Sequence, residues 1–589
     1  MQLSTADAFI VGGFLAISLA IGLRLSRSAG RDFGAFFLAG RRQPWWLLGV
    51  SMVATTFSTD TPNLIADIVR NHGVLGNWTW WAFLLSGMLT VFLYAKLWRR
   101  SGVSTDVEFY ELRYSGRAAA FLRAFRGVYL GLVFNVLIMA AVTLAAIKIG
   151  SVMFGWSPLQ TVLVAAGVTL VYSAAGGLQG VLFTDLAQFA MAMVGSVAAT
   201  AHILRLPEVG GLDGLFSNPL VQDKLEFWPS LTTMSWSDLA PVFLIPLLVQ
   251  WWAAYYPGSE PGGGGYLVQR MLSARDENHA LWATLLFNLL HYAVRPWPWI
   301  LVALASMVVF PGLEDIREQF PHVPDEVLRD DLAYPAMLTF LPPGLLGLVV
   351  ASLAAAYMST MSTSVNWGSS ILVSDVYRRF FRPDATERRL VWAGRLFTVL
   401  LMVLACAVSL TIESALEVFQ ILVQIGAGTG LLYLLRWFWW RVNATTEIVA
   451  MIASFSVALA MQFFGGHLDG WQQVLAGVAV TTLCWLPCAF LAPQTDQSAL
   501  VAFYRKIGPG GPGWCPIARI SGPAGAPGHQ SLAAPLGASL LGSLAIYGAL
   551  LSTGYLLYGR LAMAVALGCL ACACGYALRQ VWVNRAIAV

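Results

Sequence analysis

With 589 residues, 58% of them hydrophobic and only 11% charged, the chain is excluded from the soluble globular class. Soluble domains carry roughly 25% charged residues, and most of a globule's surface must face water. The net charge of +4 is ordinary for a membrane protein, no nucleic-acid partner is expected, and six of the seven cysteines (Cys406, Cys484, Cys488, Cys569, Cys572, Cys574) lie in apolar runs, where thiols pack as small hydrophobes rather than pair.

Stretches of about twenty apolar residues give about fifteen transmembrane spans. They lie near 7–26, 44–70, 77–98, 124–150, 158–176, 179–204, 238–268, 280–310, 341–372, 389–411, 416–435, 445–464, 472–491, 534–556 and 561–578. The first has no basic residues before it and ends in Arg24 and Arg27. That is the wrong polarity for a signal peptide, so a retained helix is expected.

The second span reads WWLLGVSMVATTFSTDTPNLIADIV. Thr55, Thr56, Ser58, Thr59, Asp60 and Thr61 lead into Pro62 at its middle, which predicts an interrupted helix. In the sixth, GGLQGVLFTDLAQFAMAMVG, Asp185 is a lone carboxylate near one end. An ionisable residue in a span is costly and marks function by default; a carboxylate reaching the aqueous interface is the plainer alternative.

The seventh span, LIPLLVQWWAAYYPGSEPGGGGYLVQRML, is broken by Pro257, Gly258, Pro261 and four consecutive glycines, with Glu260 inside the break. Non-helical backbone at membrane depth survives only where protein or a cavity satisfies it. An ordinary outer loop is the alternative, but it would invert the parity of every basic loop that follows. The two breaks fall five spans apart, the trace of two five-helix repeats of inverted topology, spans two to six and seven to eleven.

In the eighth span His291 and Arg295 lie four apart on one face, just before Pro296 and Pro298. A mid-span arginine needs an acidic partner, and Glu260 or Asp60 is expected to supply it. In the ninth, Ala356, Ser359, Thr360 and Thr363 share one helical face with Ser362 beside them. Such a face serves close helix packing or offers oxygen ligands to a hard cation. Residues 492–533, rich in Pro and Gly, read as a linker to two appended helices.

Basic residues gather at odd-numbered exits: Arg24 to Arg42, Lys96 to Arg123, Arg270 and Arg275, Arg378 to Arg389, Arg436 and Arg441, Arg505 to Arg519. The 311–340 loop is mostly acidic. By the positive-inside rule the N-terminus is expected outside and the C-terminus in the cytoplasm, in the cell (inner) membrane. The expected organisation is a helix and first loop (1–36), two repeats (37–235 and 236–442), peripheral helices (443–491), the linker (492–533) and two appended helices (534–589).

Four motifs in order carry a resemblance. FFLAGRRQPWWLLGVSMVATTFS, GGLQGVLFTDLAQ, YLVQRMLSARDENHA and AAYMSTMSTSVNWGSSILVSDVY are similar to segments of the sodium:solute symporter family, over roughly residues 5–440 and more loosely to 490. The resemblance implies an all-α polytopic fold with a five-plus-five inverted-repeat core of the leucine-transporter type and two broken helices. It also implies sodium-coupled symport of a small polar organic solute (a sugar, polyol or relative) into the cell by alternating access, with sodium, one ion or two, as the coupling ion. A principal sodium site is implied at the carbonyls of Ala54, Phe57 and Ala356 with the hydroxyls of Ser359 and Thr360. Asp185, Ser359, Ser362 and Thr363 match a second sodium site found in some members. Solute-binding candidates are Asp60, Thr61, Glu260, His291 and Arg295. His291 matches a lysine that helps hold sugar in galactose-type members, whereas their glutamate on the third span is replaced by Trp80, and the PGSEPGGGG insert is unlike theirs.

The partners expected are thus a small solute, sodium and the bilayer, with the chain working as a monomer. Two rival classes differ in what they need. A membrane-embedded enzyme requires a nucleophile–base pair or metal cluster at depth, and no such constellation stands out. A sensor that kept a transporter fold requires a signalling domain, for which 492–533 is too short.

Overall fold

The computed structural model describes all residues except 1–3, 30–31, 231–233, 254–259, 324–327, 413–414, 465–467, 523–530 and 588–589. The elements described are helical, and the one β-type contact among the described residues is an isolated bridge between Gln43 and Ala274. Eleven helices among them are long and apolar enough to cross a membrane. Shorter apolar helices lie at Trp45–Thr55, Pro158–Leu170, Trp236–Leu248 and Val423–Leu435. By length alone the tally is therefore below the expected fifteen. A half-helix of a broken span is too short to cross by itself, and the fifth and sixth spans are two helices that meet at the non-helical Gly177 (φ 54°) within Pro158–Ile203, the fifth being among the shorter ones.

Both interruptions are present. The first span of the first repeat runs Trp45–Thr55, leaves helical pairing over residues 56–59, and resumes as Asp60–His72. The break precedes Pro62 rather than centring on it. Pro62 sits in the first turn of the second half-helix, where a missing N–H costs nothing. Thr59 ties the break to the neighbouring Gly116–Phe154 helix, donating to Val142 O at 2.9 Å.

In the second broken helix the first half ends in a tight turn at Gln250–Trp252, and the other half is Gly265–Ser273. Pro257 and Gly258 lie outside the described residues. The glycine run does not form an outer loop. Trp98 Nε1 donates to Gly262 O at 2.8 Å, and Gly265 N donates to the buried Asp106 at 2.8 Å. Gly263 (φ 96°) adopts a left-handed conformation, and a Cβ there would lie 2.9 Å from Trp98 Nε1. Only glycine allows that approach.

The hydroxyl-bearing helix, Leu345–Phe381, crosses the centre and packs most extensively on the Pro158–Ile203 run. Away from the basic helix ends, Arg70 pairs with Asp330 and Lys148 with Asp331, each at 2.6 Å, tying the acidic segment to Asp60–His72 and Gly116–Phe154.

Residues 492–522, read from composition as linker, carry the helices Gln497–Ile507 and Cys515–Ser521. Phe503 and Trp514 are buried, and Trp514 Nε1 donates to Trp437 O at 2.8 Å. Arg100 caps Ile507 O at 2.7 Å. Pro and Gly end these helices without leaving the chain unpacked. The appended helix Ala533–Leu557 docks on the third span, with Tyr547 donating to Trp81 O at 2.8 Å and Ser539 to Met88 O at 3.1 Å.

Candidate functional site

Interrupting the first helix leaves carbonyls at residues 54–58 short of intrahelical donors. Ala54 O still accepts from Phe57 N at 3.1 Å, while Thr55 O turns toward the hydroxyl helix and accepts from Thr360 Oγ1 at 2.7 Å. Ala54, Phe57, Ala356, Ser359 and Thr360 are all buried, so the hydroxyl face points into protein and not into lipid. The carbonyl that accepts from Thr360 is one residue beyond the Ala54 carbonyl that the family pattern implies. Ser359 turns the other way and donates to Asp185 Oδ1 at 2.6 Å.

Asp185 is fully buried and does not reach an aqueous interface. Its Oδ2 accepts from Ser51 at 2.5 Å and lies 3.5 Å from Arg270 Nη2. The Arg270 guanidinium also donates to Thr363 Oγ1 at 2.7 Å and to Ser51 Oγ at 3.2 Å. Thr363 and Thr55 hydroxyls meet at 3.1 Å. Asp185, Ser359 and Thr363 are thus brought together around an arginine, while Ser362 donates to Ser359 O at 3.1 Å within its own helix.

Sequence reasoning missed Arg270, Ser51 and Thr55 as members of this cluster. Arg270 was counted among the loop cations, yet it is fully buried, as are Arg113 and Arg436, and Arg123 nearly so. A signal for Arg270 existed in the half-helix GYLVQRMLS, which places an arginine inside an apolar turn. A buried cation requires a buried anion, and Asp185 was the unmatched one. Ser51 and Thr55 lie four apart on one face of Trp45–Thr55.

The solute candidates divide. Arg295 Nη1 donates to Thr56 O at 2.6 Å and to Thr56 Oγ1 at 2.9 Å, closing the open carbonyl end of the first half-helix. Cations are favoured at such an end. His291 Nδ1 lies 3.1 Å from Thr56 Oγ1, with its ring edge-on to Trp80 at 5.7 Å. Asp60 opens the second half-helix, in contact with Ser58 and close enough to Arg295 for their charges to interact. Thr61 is half-buried beside Ser58.

Glu260 goes elsewhere. Its carboxylate contacts Arg126 and lies 3.2 Å from Arg436, so of the two acidic partners expected for Arg295, Glu260 is engaged by other arginines, and Arg295 is bonded to Thr56. Arg436 is also within 3.5 Å of the buried Glu447, so two carboxylates serve the buried Arg126 and Arg436 guanidiniums, as buried cations require. Among the described residues no group of three His, Cys, Asp or Glu side chains is placed to hold a metal through such ligands. The first break instead offers carbonyls and hydroxyls, the donor set a hard monovalent cation takes.

Two interrupted helices flanking a hydroxyl-bearing helix at the centre of a polytopic bundle define a secondary transporter. The sodium:solute symporter family model matches residues 36–454, and the chain belongs to that family. It is 26% identical to the sodium/glucose cotransporter of Vibrio parahaemolyticus, over 80% of this chain and 88% of that one. It is 26% identical to the sodium/mannose cotransporter of Bos taurus, over 81% and 83%, and 27% identical to the sodium/myo-inositol cotransporter of Canis lupus familiaris, over 84% and 69%. In fold it matches a sodium-coupled sialic acid symporter solved in a substrate-bound outward-open state, with TM-score 0.67 and 20% identity over 84% of this chain and 100% of that one. The chain is a multi-pass membrane protein that performs sodium-coupled symport of a small solute.

Proposed function

We propose that the solute is a polyhydroxylated small molecule, a hexose or cyclic polyol, carried into the cell against Asp60, Thr61, His291 and Arg295. The observation that carries this is the convergence of Arg295 and His291 on Thr56, at 2.6 and 3.1 Å, in the gap between the two half-helices. Donors and acceptors there alternate over a short distance, with the Trp80 indole beside His291. That combination suits hydroxyls on one edge of a ring and C–H groups on its face. The three cotransporter relatives, named for glucose, mannose and myo-inositol, support the same class. Trp80, in place of the glutamate of galactose-type members, argues for a solute that needs fewer acceptors on that side.

The coupling ion is assigned to Ala54, Phe57, Ala356, Ser359 and Thr360, with Thr55 O added because it already meets Thr360. A sodium ion there would link the first broken helix to the hydroxyl helix and so favour one relative position of the two. A second ion at Asp185, Ser359, Ser362 and Thr363 would share its carboxylate with Arg270. Each sodium entering a negative interior adds about 2.3 kcal/mol per 100 mV to the driving force. In this reading the N-terminus is outside, the C-terminus is cytoplasmic, the location is the cell (inner) membrane, and the working unit is a monomer that catalyses no covalent chemistry.

Proteoliposome uptake of radiolabelled glucose, mannose and myo-inositol tests the solute class. An inward sodium gradient should stimulate at least one of them over a choline gradient. No stimulation of any of the three would refute it.

A further inference from the structure

Beside the second break lies a cavity of ≈540 Å³ whose lining includes none of Asp60, Thr61, His291 and Arg295. That size falls within the roughly 300–1,000 Å³ of small-molecule sites. Its walls are apolar and its mouth faces sideways. Phe125 and Val133, on Gly116–Phe154, are 44% and 47% exposed, and Ile452 and Phe455, on Ala444–Met461, are 63% and 54% exposed. Both helices are of membrane length, so the opening meets lipid. A sugar's hydroxyls would go unsatisfied there, whereas a hydrocarbon chain would not.

The polar end of the cavity is built around Arg126, which is buried at 3% exposure. Its guanidinium contacts Glu260 and is caged by the rings of Tyr110, Tyr129 and Tyr433 at 5.9, 5.7 and 5.3 Å. Glu260 is shared with Arg436, and Arg126 Nε has no hydrogen-bond partner among the described residues. A buried guanidinium edge left without an acceptor is costly. Arg117, exposed on the same helix, lies at the end where basic residues gather, whereas Arg123 is held by Asp375 and Glu111. Basic pockets between transmembrane helices at that level take anionic lipid heads, and phosphate offers guanidinium the acceptors it lacks.

We propose that this cavity seats an acyl chain of an anionic phospholipid, with the lipid phosphate on the Nε edge of Arg126. Pro261 and Gly265, of the second broken helix, form part of the wall. The bound lipid therefore favours one position of that helix, and transport depends on lipid composition.

Native mass spectrometry of the full chain, after exchange into micelles with added phosphatidylglycerol or phosphatidylcholine, tests this. Wild type should retain one phosphatidylglycerol at several-fold higher occupancy than phosphatidylcholine. Arg126→Gln should abolish that preference by removing the head contact. Val133→Trp should abolish retention by filling the chain site while leaving the Arg126–Glu260 pair intact. Equal retention of the two lipids by wild type, or undiminished phosphatidylglycerol in either variant, overturns the proposal. Should Arg126→Gln not be recoverable from membranes, the wild-type preference and its loss in Val133→Trp decide the matter.

Discussion

The Thr360 hydroxyl donates a hydrogen bond to the Thr55 carbonyl at 2.7 Å, joining the hydroxyl helix to the open carbonyl end of a broken one. Both oxygens are buried, so water does not compete for them. Thr360→Ala removes one of these oxygens. An interaction with a charged group is worth roughly 1.5–3 kcal/mol, which corresponds to roughly a tenfold or greater loss of apparent sodium affinity. Sodium titration of uptake should show it, with the maximal rate less affected than the half-saturating concentration.

Asp185 and Arg270 form a fully buried pair with Ser51 and Ser359 completing the carboxylate's bonds. Breaking such a pair from one side costs roughly 3–5 kcal/mol. Arg270→Gln should sharply lower the melting temperature of the purified protein, and adding Asp185→Asn should restore much of it. Separately, Asp185→Asn should change the sodium Hill slope if a second ion binds there; an unchanged slope removes that second site.

Arg295 makes two bonds to Thr56 through one nitrogen. Arg295→Lys retains the charge but not the planar donor fork. The half-saturating solute concentration should rise several-fold while the melting temperature moves little. If the solute constant stays fixed, Arg295 merely closes the half-helix.

Gly368 lies where the hydroxyl helix crosses Gly116–Phe154. A Cβ there would come within 2.2 Å of Asn135 Nδ2 and 2.8 Å of Gly131 O. Asn135 in turn donates to Ser364 O at 2.8 Å. Overpacking costs roughly 1–3 kcal/mol, so Gly368→Val should lower yield and melting temperature. Gly537→Ala, with open space around it, should not.

The parts of this architecture legible beforehand were those set by composition along a single helix. The broken helices announced themselves through Pro62, Pro257 and the glycine run, and the hydroxyl face through the spacing of Ser359, Thr360 and Thr363. What stayed hidden was pairing between distant elements. Arg270 looked like a loop cation because it follows an apolar run, and its packing against Asp185 shows that the charge is spent in the core. Glu260 looked like a solute ligand because it sits in a break, but Arg126 and Arg436 approach it from two other helices. The 492–533 segment read as a linker because it is rich in Pro and Gly, whereas Phe503 and Trp514 anchor its first part by burial.

Direct binding of radioactive sodium to the purified protein, competed by unlabelled sodium or potassium, tests the assignment of the ion site. Wild type should bind sodium selectively, and both Ser359→Ala and Thr360→Ala should weaken that binding about tenfold. Sodium binding as tight in both variants as in wild type would contradict placing the ion between the first broken helix and the hydroxyl helix.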